Sequence, residues 1–68
     1  MSKFQKKFKE FRIHNGLSQK HMAELLNVTP AMVCKMERGE SFSVPLIKRV
    51  ADIMRVKPET IKKWMDEE

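Results

Sequence analysis

Apolar side chains recur three and four residues apart along almost the whole chain, and no stretch shows the one-in, one-out alternation of a strand. Phe4, Phe8 and Phe11 fall on one side of a helix, with Ile13 near its end and Lys3, Lys6, Lys7, Lys9 and Glu10 on the other sides. Asn15-Gly16 stops that helix, because glycine enters the left-handed region without a Cβ clash. A first helix is predicted over about residues 3–15. Ser18 can accept a hydrogen bond from the free amides of a second, although His21 stands where a capping box would carry Glu. Met22, Ala23 and Leu26 give this second helix, about 18–26, its apolar stripe. Asn27 suits a left-handed turn position, Thr29 can cap the next helix, and Pro30 fits a first helical position whose N–H has no partner anyway. The third helix, about 29–38, turns Val33 and Met36 inward, leaves Met32 outside that stripe, and ends at Gly39.

Ser43 is the expected cap of a fourth helix, about 44–54, in which Val44, Ile47, Val50, Ala51 and Met54 repeat at helical spacing and Pro45 sits in the tolerant first turn. Arg55-Val56-Lys57 leads to a fifth, about 58–66, beginning at Pro58 and carrying Ile61, Trp64 and Met65. The pattern therefore predicts an all-α fold of five short helices in one domain spanning residues 1–68.

A chain of 68 residues is near the lower limit for folding on a core of its own. Cys34 is its only cysteine, which excludes an internal disulfide and a four-cysteine zinc site and fits a reducing, cytoplasmic setting. His14 and His21 are not spaced with Cys34 as a compact metal motif, so no metal or other cofactor is expected. No apolar run reaches the roughly 20 residues of a membrane span, and the basic start is followed by no hydrophobic signal region. Fourteen basic residues against nine acidic ones leave a net charge of +5, which directs attention to an anionic partner such as nucleic acid. There is no glycine-rich phosphate loop, no paired carboxylates and no Cys/His pair placed for catalysis, so an enzyme is not expected.

Gly16-Leu17-Ser18-Gln19, Ala23, Asn27-Val28-Thr29, Val33 and Met36-Glu37-Arg38-Gly39, followed by Val50-Ala51 and Met54-Arg55-Val56, resemble the lambda repressor/Cro-type, or XRE, helix-turn-helix family over nearly the whole chain. The resemblance implies a compact lambda-repressor-like DNA-binding domain with its helix-turn-helix at the second and third helices, the third entering the major groove of double-stranded DNA. It implies backbone contacts from Gln19, Thr29, Arg38 and Ser41 and base readout by Pro30, Ala31, Met32, Cys34 and Lys35. Arg12 and Glu37 correspond to a family ion pair, which either holds Arg12 near a phosphate or simply braces the first helix against the third. Pro30, Ala31 and Met32 cannot make bidentate hydrogen bonds, but they can touch thymine methyls, and Lys35 can reach guanine O6 or N7. Discrimination is then expected to come partly from DNA shape.

One motif covers little DNA, so a homodimer on a two-fold symmetric operator is expected, with Ile61, Trp64 and Met65 as its interface and Trp64 alternatively a core plug. With no second domain expected, a small transcriptional regulator repressing by operator occlusion is the anticipated function, without a small-molecule ligand. The alternative is a protein-binding module on the same fold, an antirepressor or antitoxin-like partner, which the apolar Ala31-Met32 tip would suit.

Overall fold

Local capping chemistry marks where three of the five helices start. The computed structural model describes residues 2–67, and these form α1 (Lys3–His14), α2 (Gln19–Leu26), α3 (Pro30–Glu37), α4 (Val44–Met54) and α5 (Pro58–Asp66). Ser18 and Thr29 have extended backbones and accept hydrogen bonds from the amides of His21 (3.0 Å) and Met32 (3.2 Å), so both stand just outside the helices they cap. Asn27 terminates α2 in the left-handed region at φ 58°, ψ 45°. Arg55 ends α4 in the same way at φ 59°, a conformation that the turn reading of Arg55-Val56-Lys57 did not anticipate. Ser43 occupies the cap position of α4, but its side chain makes no capping bond. The expectation from residue type fails there. Conversely, Ser2 and Gln5 form a full capping box on α1: Gln5 N donates to Ser2 Oγ (3.3 Å) and Ser2 N donates to Gln5 Oε1 (2.6 Å). Serine followed three residues later by glutamine was its sequence signal.

The helices wrap one core, in which α2 packs on α3 and α4, while α1 packs on α3 and α5 and α4 on α5. Phe4, Phe8, Met22, Leu26, Val33, Met36, Val50 and Ile61 are fully enclosed. Phe4 stacks on Phe8 with ring centroids 5.3 Å apart. Each such side chain contributes about 1.5–3 kcal/mol by leaving water, which is how so short a chain supports a core without a disulfide. In α4 the stripe is offset from its expected start. Leu46 is buried and Val44 is exposed, because Leu46 continues the rows through Ile47, Val50 and Ala51, whereas Val44 begins the helix with little packed over it.

Gly39 meets a second constraint besides its positive φ of 87°. A Cβ there would come within 2.7 Å of Gln5 Cδ, whose amide nitrogen donates to the Glu37 carbonyl at 3.2 Å. At Gly16, φ 66°, an added Cβ would meet nothing within 4 Å. Both alanine substitutions should cost about 1–2 kcal/mol of backbone strain, and Gly39→Ala should cost measurably more in a urea melt because it also displaces Gln5. Equal losses would show that the Gln5 bridge contributes nothing.

Candidate nucleic-acid interface

The pair α2–α3 is held at a set angle by small and branched side chains at the crossing. Ala23 is 1% exposed there, so the two backbones approach closely, and Leu26 and Val33 fill the space beside it. The turn is closed by Val28 N donating to Ala23 O (2.9 Å), and Arg49 of α4 donates through Nη1 to Leu26 O (3.0 Å), satisfying a carbonyl at the end of α2. With the core holding Val33 and Met36, the opposite side of α3 turns to solvent. Thr29, Pro30, Ala31 and Lys35 are exposed.

Two of the expected base-reading residues sit differently. Met32 is half-buried and packs against the edge of the core, contrary to its expected place outside the inward stripe, because it lies one helical turn before the buried Met36. Cys34 is also half-buried. The freely presented tip is thus Pro30, Ala31 and Lys35.

Among the expected backbone contacts, Thr29 uses its hydroxyl oxygen as an acceptor in the cap and keeps its O–H to donate. Gln19 begins α2, where the backbone N–H groups lack helical partners, and one of its side-chain N–H groups points to Glu37 Oε1 at 3.4 Å, leaving the other free. Arg38 and Ser41 are exposed just beyond α3, and Arg38 Nη2 lies 3.1 Å from Glu40 Oε2. Both partners of that pair are more than half exposed, so it is worth little and does not lock Arg38 away from another anion.

Arg12 forms the expected pair with Glu37, in the bracing arrangement. Its Nε donates to Glu37 Oε2 (2.7 Å), its Nη2 to Glu37 Oε1 (3.3 Å) and its Nη1 to Leu17 O (2.9 Å), and its side chain is only 14% exposed. Three of the five guanidinium N–H groups are thus used inside the domain, joining α1, the loop before α2 and the end of α3. Gln19 and Leu17 belong to the same network, which pairing Arg12 with Glu37 alone did not show.

Ile61 is corrected. It is fully buried in the core, so its side chain cannot form an interface between two copies. Trp64 and Met65 are half-buried at the core edge, and Lys7 Nζ sits 5.8 Å from the centre of the Trp64 ring.

On the solvent side of α2, α3 and the following loop, Lys20, Lys35 and Arg38 are exposed together with the carboxylates Glu24 and Glu40. Among the described residues no three His, Cys, Asp or Glu side chains gather as a metal site, and no helix is long and apolar enough to cross a membrane. Residues 8–64 match a family model described as helix-turn-helix. No curated protein matches the chain.

Proposed function

Because the chain belongs to the XRE/lambda repressor-type helix-turn-helix family of DNA-binding regulators, we propose that it binds a specific two-fold symmetric operator as a homodimer and represses by occluding it. The observation that carries this reading is the capped, exposed N-terminal turn of α3, where Thr29, Pro30, Ala31 and Lys35 stand clear of the rest of the domain. Thr29 and Gln19 fix register on the phosphates, Arg38 and Ser41 hold the backbone on the far side, and the Lys35 ammonium reads a guanine edge. Met32 and Cys34 present only their outer atoms to the groove, so shape readout supplies much of the discrimination. The protein acts by binding, with no catalytic step, in the cytoplasm.

The test is site selection from random duplexes followed by binding across a salt series. Affinity should fall linearly on a log–log plot, each neutralised phosphate contributing about −0.9 to the slope. Lys35→Ala should weaken the selected site by about 1–3 kcal/mol and relax preference at one base pair, whereas Arg38→Ala should weaken all duplexes alike. An unaltered preference with Lys35→Ala removes the base contact.

The apolar Pro30-Ala31 tip and the Glu40 carboxylate beside Arg38 favour a second reading, in which the same surface binds a protein in an antirepressor or antitoxin-like role. That reading stands if no duplex binds even at low salt.

For the dimer, Trp64 and Met65 supply the apolar part of the contact. Trp64→Ala should sediment as a monomer at micromolar concentration while keeping its helical circular dichroism. A folded variant that remains dimeric places the interface elsewhere.

A further inference from the structure

On the side formed by the second half of α1 and the end of α4 lies an open groove of about 710 Å³. Its floor is Phe11, Ile13 and Met54, and its rim carries Lys6, Lys7 and Lys9. Ile13 is 58% exposed and lies beside the half-buried Phe11 and Met54 in this lining. Glu10 is the one carboxylate among the lining residues, so the lining carries a cationic surplus. None of the lining residues belongs to α2 or α3.

We propose that this groove docks an acidic amphipathic helix of a partner protein, its apolar side chains seated over Ile13, Phe11 and Met54 and its carboxylates facing the three lysines. The combination decides the occupant. A duplex would match the lysines but gains nothing from an apolar floor, whereas an apolar partner surface alone would leave the ammonium groups of Lys6 and Lys9 unpaired. A helix with apolar anchors one turn apart and acidic flanks satisfies both parts of the groove. Since the lining is separate from the tip of α3, the partner can be held while that tip is occupied, and the inference does not rest on the DNA-binding reading.

The probe is a synthetic peptide about four helical turns long, with leucines on one face and glutamates flanking them, and a control of the same composition whose leucines are scattered around the helix. Titrated into the full ¹⁵N-labelled chain, the amphipathic peptide should move amides from Lys6 to Asn15 and around Met54, and bind about tenfold more tightly than the control. Ile13→Glu should weaken it by at least that factor, and because Ile13 is already largely exposed the fold should tolerate the change. Lys6→Glu with Lys9→Glu, both at exposed positions, gives an independent loss.

Equal binding of the control, or shifts centred on another surface, overturns the proposal. So does self-association of the wild-type chain that Ile13→Glu abolishes, which would make a second copy the occupant. Weakened duplex binding by Ile13→Glu would assign the groove to DNA and equally overturn it.

Discussion

Glu37→Ala should lower the stability of the domain by about 3–4 kcal/mol, the lower part of the range for breaking a buried ion pair. The carboxylate is 9% exposed and receives Arg12 at 2.7 and 3.3 Å and Gln19 at 3.4 Å. Removing it leaves the Arg12 guanidinium, 14% exposed, with the Leu17 carbonyl as its remaining partner. Domains of this size have about 3–10 kcal/mol in total, so the variant should lose a large fraction of its stability. Arg12→Met combined with Glu37→Leu should recover most of the loss, because two apolar side chains leave no charge stranded. Urea melts of the single and double variants measure the coupling directly. A single-variant loss below about 1 kcal/mol would mean that the pair behaves like a surface one. Where the variant stays folded, a released Gln19 should also weaken binding to every duplex alike, since the role proposed for it is to set register rather than read bases.

Ile61→Ala should cost about 2–5 kcal/mol, the range for emptying an enclosed aliphatic site. The side chain is fully buried, and α5 packs against both α1 and α4, so the cavity would open where three helices meet. The effect should appear in the denaturation midpoint at any protein concentration. A loss that instead scales with concentration, with the monomer unchanged, would return Ile61 to a contact between copies. Trp64 provides the comparison on the same helix, since it is half-buried at the edge of the core.

Most of what positions the tip of α3 was readable in advance. The caps Ser18 and Thr29, the left-handed Asn27, Pro30 at the head of α3 and Gly39 after its end all act within a few residues of themselves. Such preferences come from backbone dihedrals and nearest amides, which residue type and order specify. The inward positions of α2 and α3 were legible for a related reason, as the spacing of Met22, Ala23, Leu26, Val33 and Met36 admits one buried face.

Side chains whose burial was not legible share a different cause. Ile61, Trp64 and Met65 lie close together on one side of α5, and nothing in their spacing tells which is enclosed. That depended on how α1 and α4 meet the helix, which left Ile61 within and the other two at the edge. Met32 was drawn inward by the same kind of packing. Arg12 is held by Glu37, 25 residues along the chain, and Gln5 by the Glu37 carbonyl, 32 along, and neither geometry exists until α1 rests on α3.

Residue order alone therefore settled the five helices, the caps Ser18 and Thr29 and the turn that offers α3 outward, because those are short-range properties of the backbone. Which side chains are closed in, which charges are consumed within the domain, and the lysine-rimmed groove beside Ile13 had to wait for the helices to pack, because each depends on surfaces brought together from distant parts of the chain.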